Sequence, residues 1–242
     1  MERNILVTGV SRGLGLEISK TLLNLGHNVY GLSRSITNEV AQFKKDYVNQ
    51  FNFLEFDLAN SEMIQKKIIK EWITNKVALS GVVNNAAIAY DDIVSNLDLN
   101  RLRNLFEVNV FSSMLITKYA IRNMILHRSG GSLVHISSIS VHTGYKGLAM
   151  YAASKGALEA FSRNTAREWG KKGIRSNCLV AGFMETEMSS TLSGDQKERI
   201  YSRTCQKSPT TTKSVSDTVA FLLSDRAESI TGQNIHVDSG TI

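Results

Sequence analysis

The chain has 242 residues, which allows one large domain or two small ones at roughly 100–200 residues each. Apolar residues make up 42% and charged residues 21%, a globular balance that excludes a mostly disordered chain. Lys and Arg number 28 against 22 Asp and Glu, a formal charge of +6. That charge admits nucleic acid, an anionic lipid surface or a phosphorylated ligand as partner and selects none of them.

Short β-rich runs alternate with longer helical patterns. The first run, Asn4–Thr8, is too short for the apolar core of a signal segment and leads into a glycine turn. Further strands are expected at Asn28–Ser33, Asn52–Asp57, Gly81–Asn84, Ser132–Ser137, Arg175–Val180 and Asn234–Val237. Most are apolar on both faces, as strands covered on both sides should be. Helical periodicity fills Gly15–Leu25, Ser61–Thr74, Arg101–His127, Tyr151–Lys171 and Ser216–Leu223. Strict alternation predicts an α/β, doubly wound parallel sheet (a Rossmann fold) of about seven strands flanked by helices. A lone proline, Pro209, and the lack of any linker composition or repeat predict a single domain over residues 1–242. No segment approaches about 18 uninterrupted apolar residues, so a soluble, cytoplasmic chain with no membrane partner is expected. Cys178 and Cys205 cannot build a disulfide scaffold, and no cysteine–histidine cluster has metal-ligand spacing, so no metal is expected.

Ligands of such a sheet bind beyond the carboxyl ends of the strands. After the first strand comes Thr8-Gly9-Val10-Ser11-Arg12-Gly13-Leu14-Gly15, then a helix. Glycines there let the chain turn sharply and let backbone approach a pyrophosphate at a helix N-terminus. The spacing is Gly-x-x-x-Gly-x-Gly, and no Gly-Lys-Ser/Thr follows, which excludes the Walker phosphate loop. The second strand ends at Ser33-Arg34 with no carboxylate to hold a ribose 2′-hydroxyl. Arg34 and Arg12 together favour a 2′-phosphate, hence NADPH over NADH. Asp57, after the third strand, can accept from an adenine amino group or cap the next helix. Asn84-Asn85-Ala86-Ala87, after the fourth, allows close approach of a flat ligand.

The fifth strand runs into Ser137-Ser138-Ile139-Ser140, and Tyr151 and Lys155 follow at i,i+4 on one helix face. A free phenol titrates near a pKa of about 10, and a neighbouring ammonium lowers it. Such a phenol can give a proton to a carbonyl oxygen, while Ser138 steadies the same oxygen. A Tyr–Lys pair alone also occurs on ordinary helices. Serine-hydrolase chemistry is excluded: there is no Gly-x-Ser-x-Gly elbow, and His135 lies within a strand while neither it nor His142 has a placed triad acid.

Taken together, the glycine loop, Asn84-Asn85-Ala86-Ala87, Ser138 and Tyr151-x-x-x-Lys155 resemble the short-chain dehydrogenase/reductase superfamily over essentially the whole chain. Tyr151–Leu158, Gly182–Met188 and Ile230–Gln233 look most like its 3-oxoacyl-[acyl-carrier-protein] reductase branch. The resemblance implies Tyr151 as proton donor, Lys155 lowering its pKa and binding the nicotinamide ribose, and Ser138 orienting the carbonyl. It implies that Asn109 helps hold a water against the lysine. Gly9, Ser11, Arg12, Gly13, Leu14 and Gly15 would surround the pyrophosphate and ribose, Asp57 and Leu58 would flank adenine, and Asn85 and Ala86 the adjacent ribose. Met184 and Thr186 would contact the nicotinamide carboxamide or phosphates, and Arg34 sits where NADP-preferring members carry a basic residue. The chain departs from the family pattern at Ala87, Ala181 and Ser239, where glycine, proline and glycine are usual.

The implied reaction is NADPH-dependent reduction of a ketone, with a 3-oxoacyl thioester leading and a sugar, polyketide or other secondary alcohol as alternative. The loop Phe183–Pro209, with Met184, Met188, Leu192, Ile200 and Tyr201, is expected to cover the substrate. A carrier-protein partner calls for basic residues beside the cleft, for which Arg128, Lys171 and Lys172 are candidates; the favoured reading of these is a solvated helix face, since Arg163, Arg167 and Lys171 recur at i,i+4. Dispersed basic residues argue against nucleic acid. Family members pair the helices here read as Arg101–His127 and Tyr151–Lys171, so a homotetramer or homodimer is implied. A non-catalytic NADP sensor has no need of Ser138, Tyr151, Lys155 and Asn109, and an extended-family epimerase would need a further C-terminal substrate domain.

Overall fold

Seven strands form one parallel sheet in the order β3-β2-β1-β4-β5-β6-β7. They are β1 (Asn4–Thr8), β2 (Asn28–Ser33), β3 (Phe51–Glu55), β4 (Gly81–Asn84), β5 (Gly131–Ser138), β6 (Ile174–Ala181) and β7 (Asn234–Val237). The computed structural model describes residues 2–190 and 192–241, and the side chain of Met188 also lies outside the described set. Side chains alternate between two buried layers. Ile5 and Val7 pack with Ile18, Leu22 and Val219 on one face, and Leu6 packs with Leu32, Ile116 and Ile121 on the other. Because both faces are apolar, the strands read as near-continuous hydrophobic runs, as the sequence predicts.

The helices are α1 (Gly13–Asn24), α2 (Asn38–Asp46), α3 (Leu99–Phe106), α4 (Ser112–His127), the one-turn α5 (Ser140–Thr143), α6 (Ala149–Trp169), α7 (Gly194–Tyr201) and α8 (Thr212–Leu223). Two of them, α2 and α7, offer little apolar period to find: Val40, Phe43 and Tyr47 mark the first, and the second has only the adjacent Ile200 and Tyr201. Val40 is the one buried residue of α2, and α7 buries none. Their caps are the legible signal: Thr37 accepts from Val40 N, and Ser193 with Gln196 forms a reciprocal capping box. The expected helix Arg101–His127 is a continuous path from α3 to α4 through a π-helical segment, Glu107–Phe111. Ser61–Thr74 is likewise a short 3₁₀ turn, Ser61–Met63, followed by a π-helical stretch, Gln65–Ile73, that stops at Thr74 with φ +56°.

The strand order reverses between β1 and β4, so their carboxyl ends open a crevice there. Arg128, Lys171 and Lys172 instead precede β5 and β6, at the amino edge of the sheet. They therefore lie opposite the cleft, which corrects the expectation that they flank it.

A row of polar groups crosses the middle of the sheet. His135 is fully buried; its Nδ1 accepts from Asn84 Nδ2 at 3.1 Å and its Nε2 faces Ser176 Oγ at 3.4 Å. Burial first, and the Lys155 ammonium second, push the imidazole pKa down to about 4. A neutral histidine thus stabilises the fold above its ordinary value near 6.5. That contribution, about 3 kcal/mol, is lost as pH falls from there through the folded value. Urea unfolding between pH 7 and pH 4 should show this slope, and His135→Gln should flatten it.

Candidate active site

The turn after β1 is built around glycine. Gly9 sits at φ +75° and Gly13 at φ +55°, both in the left-handed region. A methyl on Gly15 would lie 2.0 Å from Gly9 O, so α1 can approach β1 this closely only without a Cβ. Thr8 and Asn85 lock the same corner. Thr8 Oγ1 accepts from the amides of Asn85 (3.0 Å) and Ala86 (2.9 Å), and Asn85 Nδ2 donates to Thr8 O at 2.9 Å. Arg12 supplies no capping bond to α1, so the first amides of that helix face the crevice without a side-chain partner from the cap.

One cleft of about 780 Å³ runs from Arg34 past this turn to Tyr151 and on to Phe183 and Ile200. It gathers every residue anticipated as catalytic or cofactor-binding except Asn109. The glycine turn, the open helix end and the flanking Arg12 and Arg34 fit a dinucleotide pyrophosphate with further phosphate charge. Arg34 has no ion-pair partner among the described residues, whereas Arg12 pairs with Glu187 across the cleft. Asp57 serves partly as a turn former, since its Oδ1 accepts from Ala59 N at 2.9 Å. Thr186 caps the 3₁₀ turn that begins at Glu187 and approaches Gly13.

At the far end, Ser138 closes β5 and α6 carries Tyr151 and Lys155 on its first turns. Lys155 is 2% exposed, and its Nζ donates to Ile136 O at 2.9 Å, so the helix is tied to the strand that ends in Ser138. The ammonium stands 5.7 Å from the centroid of the Tyr151 ring. Burial pushes the Lys155 pKa down to about 8. The Tyr151 phenol moves the other way from the sequence expectation, up to about 12. Burial is the main cause and the Asp91 carboxylate the second, with a hydrogen bond to Ser138 opposing them. In the protein by itself the phenol is therefore firmly protonated at neutral pH.

Asn109 lies in the π-helical segment, completely buried. Its Oδ1 accepts from Ile88 N at 2.9 Å, and its Nδ2 donates to Ile88 O (3.0 Å) and to Ser154 Oγ (3.1 Å). The side chain thereby clamps the segment after β4 to α6, with both the amide oxygen and the amide nitrogen engaged. The sequence reading did not single out Asp91, Lys146 or Arg203, all of which line the same cleft as Tyr151. Each stands on a loop, where no period marks it. Arg203 lies over the ring of Tyr145, 5.9 Å from its centroid.

Two positions near the departures from the family pattern are sterically marked. Gly182 is required, since a methyl there would meet Asp238 Cα at 2.5 Å. Ser239 adopts φ +58° and pairs with Thr210 through their hydroxyls at 3.2 Å.

Residues 9–241 match the family model described as Enoyl-(Acyl carrier protein) reductase. The chain is 33% identical to the 3-oxoacyl-[acyl-carrier-protein] reductase FabG of Buchnera aphidicola subsp. Schizaphis graminum, covering 99% of this chain and 97% of that one. It is 34% identical to the FabG of Escherichia coli (strain K12), over 97% and 95%. Among solved structures it resembles a 4-hydroxyisoleucine dehydrogenase complexed with NADH (TM-score 0.91, 24% identity, 99% and 98% covered). It also resembles a candidate NAD(P)-dependent gluconate 5-dehydrogenase from Beutenbergia cavernae with bound NADP (TM-score 0.90, 26% identity, 99% and 96% covered).

The close contact at Gly15 makes a direct test. Gly15→Ala should destabilise the protein by about 1–3 kcal/mol, the usual cost of overpacking, in urea titrations. It should also weaken dinucleotide binding by calorimetry, because the turn and the end of α1 must separate to admit the methyl.

Proposed function

The chain belongs to the short-chain dehydrogenase/reductase family, and from that premise we propose that it is an NADPH-dependent reductase of 3-oxoacyl thioesters. The single observation that carries this reading is the meeting of Ser138, Tyr151 and Lys155 in one cleft with the glycine turn. The full-length likeness to the two FabG proteins supports the substrate, and with it a place in fatty-acid synthesis and an acyl carrier protein as partner. Lys146 and Arg203, which line the same cleft, suit the anionic tether of such a carrier. Phe111, Ile125 and Leu126, apolar and exposed on or beside α4, support a homodimer or homotetramer.

A bound nicotinamide supplies hydride, and the rest falls to the chain. A ketone oxygen placed between Ser138 Oγ and the Tyr151 phenol takes a hydrogen bond from each. As that oxygen gains charge, the protonated phenol gives up its proton to it. The neighbouring Lys155 ammonium steadies the phenolate left behind. Arg34, with Arg12 once drawn from Glu187, takes the 2′-phosphate that separates NADPH from NADH.

A second reading, a dehydrogenase of sugar acids, is favoured by the same Lys146 and Arg203, which suit a carboxylate, and by the 26% likeness to the candidate gluconate 5-dehydrogenase.

Absorbance at the nicotinamide band, with acetoacetyl thioester as substrate, tests these readings. NADPH should be oxidised at least about tenfold faster than NADH, and Arg34→Ala should remove most of that margin, a difference of about 1.4 kcal/mol. Turnover of gluconate-type substrates but not of the thioester would transfer the reading to sugar acids. Tyr151→Phe should lower kcat by about 10²–10⁴-fold while leaving dinucleotide affinity in place. Reduction should fall as pH rises through about 8, where the buried Lys155 loses its charge. The reverse oxidation requires the phenolate and should be limited by the raised phenol pKa.

A further inference from the structure

Glu159 is a buried carboxylate, 6% exposed, that the chemistry above does not use. It stands on α6 four residues beyond Lys155 and eight beyond Tyr151, so the three share one helix face. Donors from three other elements converge on it. Oε1 accepts from Ser137 Oγ of β5 at 2.5 Å and from His142 Nε2 of α5 at 3.2 Å, and Oε2 accepts from Asn234 Nδ2 of β7 at 2.7 Å. A carboxylate satisfied in this way is held in one geometry, because hydrogen bonds to an ionised acceptor are short and strong.

The position of the first donor gives this cluster its meaning. Ser137 immediately precedes Ser138 and lines the cleft. Lys155 Nζ already holds α6 to Ile136 O, one residue earlier. Two consecutive residues of β5 thus grip two consecutive turns of α6, one step before the serine that faces the substrate. A single hook would let the helix pivot, whereas two fix both its height and its rotation against the strand. We infer that Glu159 is a positioning residue, which through Ser137 sets the register of α6 on β5 and hence the separation of Tyr151 from Ser138. This rests on the reading of those two residues as proton donor and carbonyl holder.

The test compares Ser137→Ala, Glu159→Ala and Glu159→Gln with the parent enzyme. Glu159→Ala should lower kcat on the order of 100-fold, the scale of an ångström misplacement, and Ser137→Ala about tenfold. Dinucleotide Kd should stay within about twofold, because the glycine turn is untouched. Glu159→Gln keeps an acceptor for Ser137 and should recover most of the rate, which a mere loss of folded protein would not show. Ser137→Ala, which only removes a hydroxyl, keeps the test open should Glu159→Ala fail to fold. Hydrogen exchange read over residues 149–160 adds a measure independent of turnover: it should quicken about tenfold in Ser137→Ala, with α1 unchanged. An unchanged kcat in Ser137→Ala, a fall matched by weaker dinucleotide binding, or unaltered exchange over 149–160 would overturn the inference. If the parent turns over no ketone, the proposed function fails and the exchange result alone decides the role of Glu159.

Discussion

The burial of one ammonium group organises the chemical end of this molecule. Lys155 is removed from water and donates to the carbonyl of Ile136 inside the sheet. A charge in that setting is expensive unless polar groups surround it. Free carbonyls and side-chain polar groups are most plentiful where strands end, because most of the central strand residues are apolar on both faces. The helix that carries Lys155 must therefore dock its first turns at the carboxyl edge of β5, and Tyr151 and Ser138 meet there as a result. The lowered pKa of Lys155 and the raised pKa of Tyr151 both follow chiefly from this burial.

At the other end of the cleft, steric rather than electrostatic constraint decides. Gly9, Gly13 and Gly15 allow α1 to begin almost in contact with β1, and Asn85 staples β4 to the same corner. The two ends are independent structures that share one crevice. The family therefore needs both the glycine spacing and the Ser, Tyr and Lys spacing, and either one alone would be a weak sign of function.

Much of this could be read in the sequence, for reasons that differ by element. The strands were legible because burial on two faces leaves apolar runs such as Ile5-Leu6-Val7. Long helices were legible because each buries one stripe, as α8 does with Val215, Val219 and Leu222. Tyr151, Lys155 and Ser138 were legible through spacing. What escaped was held by contacts distant in the chain. The upward shift of Tyr151 depends on Asp91, sixty residues away, and on burial that no local pattern records. The placement of Arg128 and Lys172 at the far edge follows from strand direction, which charge composition does not carry. Lys146 and Arg203 stand on loops, where placement is tertiary.

The polar row through Asn84, His135 and Ser176 has a bearing on how the chain finds its own pairing. A strand that is apolar on both sides has no inward and outward face, so alternation cannot tell it where to stop sliding along its neighbour. A slip of two residues would keep every side chain on an apolar surface and lose little. Here such a slip of β5 would carry His135 away from both Asn84 and Ser176 and leave a fully buried imidazole without its partners, while Asn84 keeps Thr117 and Ser176 keeps Ser162. The row works as an indexing notch, converting a set of interchangeable alignments of β4, β5 and β6 into one, and Ser138 at the end of β5 arrives opposite its helix because His135 fixes the strand three residues upstream.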